Sequence, residues 1–230
     1  MKTRITDTGR RGGLIDFAAE QEAPLSGKIT IGAIPTIGPY LLPKMLAKLR
    51  KKYPALKVYL REEQTIALLE SLRTGRIDAA ILALPYPLQG FHIEPLFDEA
   101  FSMACLPGHP KSKLKQLKTK HLQEESILLL EEGHCLRQHA LDACKLSGAS
   151  YGIPYQGTSL PTLVQMVAND IGITLIPEMA LQAGILKNTG VISRDFTDEK
   201  VKRTIGIVWR PNCSKQNDLM LLAEFIREIH

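Results

Sequence analysis

Lys28-Ile29-Thr30-Ile31-Gly32-Ala33-Ile34 is the stretch whose reading decides the fold. Its β-branched residues alternate with small or polar ones, the pattern of a strand. Just downstream, residues 39–53 carry apolar side chains at Leu42, Met45, Leu46 and Leu49, the spacing of one helix face. Residues 56–61 read as a second strand. Residues 65–74 read as a helix capped by Thr65 and stopped at Gly75, and residues 78–84 as a buried strand. A β-α-β-α-β run with short connections predicts a parallel sheet with flanking helices.

A second α/β unit is expected from Phe101 onward. Its strands are predicted over 101–106, 127–130 and 171–176, with helices over 136–147 and 160–167. The last strand, 204–209, and the amphipathic helix 217–229 are placed back on the first unit. The expected class is therefore α/β, with two lobes joined by crossings near 96–100 and 196–202. The expected division is a linker remnant at 1–26, lobe I at 27–97 plus 202–230, and lobe II at 98–201. A cleft between such lobes is a natural ligand site.

The bulk numbers suit this picture: 44% hydrophobic and 23% charged residues describe an ordinary globular chain. The net charge of +5 argues only weakly for an anionic partner. Arg50-Lys51-Lys52 and the lysines of 111–120 read as solvated faces. No apolar stretch is long enough to span a bilayer, so no membrane partner is expected. Met1-Lys2-Thr3-Arg4 is not followed by the apolar core of a signal peptide. The expected location is the cytoplasm, with Cys105, Cys135, Cys144 and Cys213 reduced at rest. No pair among them has metal-ligand spacing, and no cofactor is expected.

The densest chemistry lies in residues 131–144, Glu-Glu-Gly-His-Cys-Leu-Arg-Gln-His-Ala-Leu-Asp-Ala-Cys. Gly133 breaks the preceding strand and puts Cys135 at a helix N-terminus, where exposed amides and the helix dipole favour a thiolate. Arg137, His134 and His139 are close in sequence and would lower the thiol pKa further. Cys144 follows nine positions later. In an unbroken helix that is a rise of roughly 13.5 Å with the side chains on opposite faces, whereas a disulfide needs Cα atoms within about 7 Å. Joining them would require the segment to unwind. A plainer reading stands beside this one: a cysteine in an amphipathic helix is often just a small buried apolar residue. Cys105 reads as a strand core residue and Cys213 as a loop thiol. Thr36 and Thr65 read as helix caps, and Arg203 as a solvated edge charge.

Gly133-His134-Cys135-Leu136-Arg137 with Cys144 resembles the redox centre of OxyR-type peroxide sensors of the LysR family. Ile34–Pro43, Ile81–Leu84, Pro95–Glu99, Thr158–Leu160, Gly172–Pro177 and Arg203–Gly206 resemble the same family, in the same order, across about residues 25–230. The resemblance implies a periplasmic-binding-protein-like type II fold of two Rossmann-like lobes. It implies that Cys135 is the peroxidatic cysteine and Cys144 the resolving one. Thr36, Thr65, His134, Arg137 and Arg203 would line the pocket for hydrogen peroxide, which is the ligand and oxidant. The implied assembly is a homodimer or homotetramer. DNA would be met only through a helix-turn-helix head, which these residues do not contain, and no enzymatic turnover is implied. A competing expectation is an effector domain that binds a small organic anion in the cleft, with the cysteines incidental.

Overall fold

A computed structural model of the protein describes residues 24–123, 125–143, 157–197 and 201–230. Residues 1–23 of the linker expected over 1–26, and Cys144, lie outside these residues.

The first lobe starts with β1 (Gly27–Ala33), which buries Ile29, Ile31 and Ala33. Helix α1 (Gly38–Lys52) follows, with Leu41, Leu42, Met45 and Leu49 on its inner face. Then come β2 (Leu56–Glu62), α2 (Thr65–Arg73) and β3 (Ala79–Leu84). Strand β1 pairs with both β2 and β3 in parallel, as the alternating order requires. A Cβ on Gly32 would lie 2.4 Å from Leu68 Cδ2, so the absent side chain is what lets α2 close down on β1.

Strand β4 (His92–Cys105) runs through the expected crossing near residues 96–100. The chain passes between the lobes here as one long strand, which the sequence reading had begun only at Phe101. Its first part, His92–Ala100, runs antiparallel to β8 (Lys202–Trp209), and β8 in turn pairs with β3. The remainder pairs with β6 (Ile173–Pro177) and β7 (Ile192–Asp195). Pro95 hid this strand from sequence reading, because proline lacks a ladder donor. The register slips between Pro95 and Phe97.

The second lobe adds β5 (Ile127–Leu128), α3 (Cys135–Ala143), α4 (Leu160–Ala168) and the short α5 (Glu178–Gln182). The lysine-rich segment forms two 3₁₀ turns, Pro110–Lys113 and Thr119–Leu122. Neither α5 nor β7 was foreseen. Strand β7 alternates half-buried and exposed residues and carries no apolar run. The terminal helix α6 (Gln216–Ile229) buries Leu219, Leu222, Ala223 and Ile226.

Buried apolar residues form two clusters. One centres on β1, β3, β8 and α6 and includes Trp209; the other centres on β4, β6 and α4 and includes Phe101. Each fully buried Leu, Ile or Phe contributes on the order of 1.5–3 kcal/mol. Cys135 begins α3, a helix whose Leu136 and Ala140 belong to the second cluster, yet its own side chain packs into the first. That places α3 on the seam between the lobes. No helix among the described residues is long and apolar enough to cross a membrane.

Candidate functional site

Three chain segments of the first lobe and two of the second meet at this seam. Thr36 comes from the turn between β1 and α1, Thr65 from the first residue of α2, and Arg203 from β8. Glu99 comes from β4 and Cys135 from the first residue of α3. All five are buried.

Cys135 lies with its sulfur 2.6 Å from the Thr65 hydroxyl. Neither threonine caps its helix, contrary to the sequence reading. The N-cap of α2 is Gln64 and that of α1 is Ile37, and neither has a side-chain capping bond. The hydroxyls are turned to the site instead. Thr36 Oγ1 accepts from Arg203 Nη1 at 3.0 Å, and its carbonyl accepts from Nη2 at 3.0 Å.

Arg203 is not a solvated edge charge. Its side chain is fully buried and pairs with Glu99 at 2.7 Å. The strand register brings these two residues side by side although 104 positions separate them in sequence. Nothing in the local sequence around Arg203 announces this. Glu99 was missed as a site residue altogether, because beside Asp98 it reads as one of two ordinary surface carboxylates.

The thiol electrostatics also depart from expectation. Burial pushes the Cys135 thiol above its ordinary range, while the Thr65 hydrogen bond and the Arg203 charge pull it back down. Desolvation wins because removing a thiolate from water costs more than one hydrogen bond and one distant cation return. The cation that counts comes from β8, not from the neighbouring sequence. Arg137 turns away and donates to the Leu130 carbonyl at 3.2 Å. It borders a separate void of about 10 Å³. His139 donates from Nε2 to the Pro85 carbonyl at 3.0 Å, and burial holds its pKa below the usual histidine range, so it is neutral at pH 7.

His134 is buried, with Nε2 3.3 Å from the Gln64 amide nitrogen, so the ring nitrogen accepts. Gly133 makes this approach possible. Its φ is +94°, and a Cβ there would sit 2.7 Å from Gln64 Oε1.

His134 and Thr36 open onto a cavity of about 340 Å³ between the lobes, which Tyr40, Glu62, Ser159 and Leu160 also line. Burial and the Glu62 charge push Tyr40 up to about 12. Cys135, Thr65 and Arg203 are not among the residues that line this cavity. A larger cavity of about 710 Å³, bordered by Asp98, Ser102, Asp195 and Lys202, contains no cysteine. Cys105 is fully buried in β4, and burial raises its thiol pKa. Cys213 is half-buried in the loop before α6. Among the described residues no group of three or more His, Cys, Asp or Glu could hold a metal ion.

Two α/β lobes, spanned by one shared strand and with a polar site at the seam, define an effector-binding regulatory domain. Residues 22–229 match the LysR substrate binding domain, and the chain belongs to that family, among regulatory domains of the OxyR type. It is 39% identical over 215 residues to the hydrogen peroxide-inducible genes activator of Dickeya chrysanthemi, covering 94% of this chain and 70% of that protein. The reduced regulatory domain of OxyR2 from Vibrio vulnificus superposes with a TM-score of 0.84 at 38% identity, covering 90% of this chain and 98% of that one. The oxidized form of OxyR superposes with a TM-score of 0.80 at 40% identity, covering 89% and 96%. The fold is the periplasmic-binding-protein-like type II arrangement of these relatives.

Proposed function

We propose that this chain is the hydrogen peroxide-sensing domain of a LysR-type transcription regulator, with Cys135 as the sulfur that reacts. The observation that carries this reading is the Cys135 sulfur at the start of α3, hydrogen-bonded to Thr65 and within the field of Arg203. The thiolate attacks one peroxide oxygen. The O–O bond breaks, the sulfur becomes a sulfenic acid, and the departing hydroxide takes up a proton to leave as water. The Cys144 thiolate then attacks that sulfur. An S–S bond forms, the S–O bond breaks, and the departing hydroxide takes up a proton to leave as a second water. His134 and Thr36 hold the peroxide at the cavity side. Arg137 acts later, since its present partner is the backbone of Leu130.

One closing of the disulfide consumes both thiols, which makes the chain a stoichiometric sensor rather than an enzyme, and the cytoplasm, where thiols are kept reduced, is the location that suits it. Residues 27–97 with 202–230 form the first lobe, 98–201 the second, and 1–26 are a remnant of a linker helix. Assembly is a homodimer or homotetramer. The test is free-thiol counting with peptide mapping, before and after one equivalent of peroxide. Loss of two thiols, recovered as a Cys135–Cys144 peptide, is expected; an unmodified Cys135 would defeat the reading.

A second reading is favoured by the 340 Å³ cavity itself, since Thr36, Tyr40, Thr158 and Ser159 place hydroxyls, beside the Glu62 carboxylate, on a lining that does not include Cys135. There a small organic anion would be the effector. A Cys135→Ser chain that still changes shape with a metabolite would select it.

A further inference from the structure

Glu99 has a feature that the peroxide chemistry does not use. Both carboxylate oxygens are occupied as acceptors, and by donors from different lobes. Oε2 accepts Nε–H of Arg203 at 2.7 Å, and Oε1 accepts the backbone N–H of Met179 at 2.9 Å, in the first turn of α5. Only 1% of Glu99 is exposed. It stands where β4 leaves β8 for β6: Glu99 is opposite Arg203, Ala100 opposite Lys202, and Phe101 opposite Pro177. Arg203 Nη2 also lies 2.7 Å from Oε2, and Nη1 and Nη2 donate to the Thr36 hydroxyl and carbonyl. One carboxylate thus ties α5 of the second lobe through Arg203 to the Thr36 edge of the cavity.

We propose that Glu99 is a positioning residue for the chemistry at this seam: it fixes the Arg203 guanidinium against the Thr36 edge of the cavity and locks that placement to the second lobe through Met179. This rests on the peroxide-sensing reading above for its biological meaning. Only a carboxylate meets the requirement, because a carboxamide would turn an N–H₂ toward one of the two donors. An aspartate keeps the charge but is one methylene short of spanning both. Arginine offers a rigid fork, so displacing one contact swings the whole guanidinium.

The experiment uses the reduced 230-residue chain with Cys144→Ser, so that no disulfide closes. Iodoacetamide labelling of Cys135 is followed against pH by mass mapping, and its oxidation by peroxide is timed separately, for Glu99→Gln and Glu99→Asp. Deleting a nearby anion would by Coulomb's law alone move the labelling midpoint down. Positioning predicts the opposite, a rise of about one pH unit in both variants as the Arg203 field is lost. Peroxide oxidation should slow about 10- to 100-fold. A midpoint that falls or stays put in Glu99→Gln overturns the proposal. So does failure of both variants to fold, which would assign Glu99 to holding up the fold. If Cys135 of the parent ignores peroxide but its labelling midpoint still rises in the variants, the sensing reading fails and the positioning role stands.

Discussion

The Thr65 hydroxyl sits 2.6 Å from the Cys135 sulfur, joining residues 70 positions apart and elements from different lobes. This contact is the closest polar interaction of the thiol, and it opposes the burial that raises the thiol pKa. Thr65→Val keeps the shape and deletes the hydroxyl. Hydrogen bonds to charged groups are worth about 1.5–3 kcal/mol, so oxidation of Cys135 by peroxide should slow by about ten- to a hundredfold. Stopped-flow thiol consumption measures this directly; an unchanged rate would remove Thr65 from the chemistry.

Arg203 and Glu99 form an ion pair with side chains 0% and 1% exposed. Breaking such a pair from one side leaves an uncompensated buried charge, at about 3–5 kcal/mol. Arg203→Met should therefore lower the urea midpoint sharply. The double variant with Glu99→Leu should recover much of the loss, since apolar replacement of both partners is often neutral. A double variant no more stable than Arg203→Met would show that the charge was not the cause.

Gly133 adopts φ +94° directly before His134 and Cys135. Gly133→Ala strains the backbone by about 1–3 kcal/mol, and its methyl displaces Gln64 from His134. We expect a lower melting temperature together with altered Cys135 reactivity.

His139 makes stability depend on pH. Burial depresses its folded pKa below the unfolded value of 6.5, so unfolding takes up a proton between the two values. Stability is fully present above about 6.5 and is lost as pH falls from there through the lower folded value. His230 is depressed too, by burial and then by Lys44, and adds to the same slope. Thermal melts from about pH 7.5 to 5 should show a falling midpoint, with a shallower fall in His139→Gln. Equal slopes in parent and variant would assign the effect elsewhere.

Oxidation should loosen α3. Cys135 packs into the first-lobe core from a helix whose Leu136 and Ala140 belong to the second. Drawing its sulfur out to meet Cys144 unseats both ends of that contact. Amide hydrogen exchange over residues 135–143 should accelerate in the oxidized chain, and stay slow in Cys144→Ser after the same peroxide treatment.

The sequence by itself determined the alternating elements of the first lobe and the place where α3 starts. Periodicity is a local property, so β1, α1, β2, α2 and β3 were legible from apolar spacing, and Gly133 marked where α3 begins. It missed the continuity of β4, because Pro95 interrupts the pattern without ending the strand. Only the tertiary structure decided the site's electrostatics. Which cation reaches Cys135, whether Thr36 and Thr65 cap helices or face the seam, and what Glu99 holds all depend on contacts between residues about 70 to 170 positions apart. Burial is likewise a property of the assembled lobes, and it is burial that turned the expected low thiol pKa into a raised one.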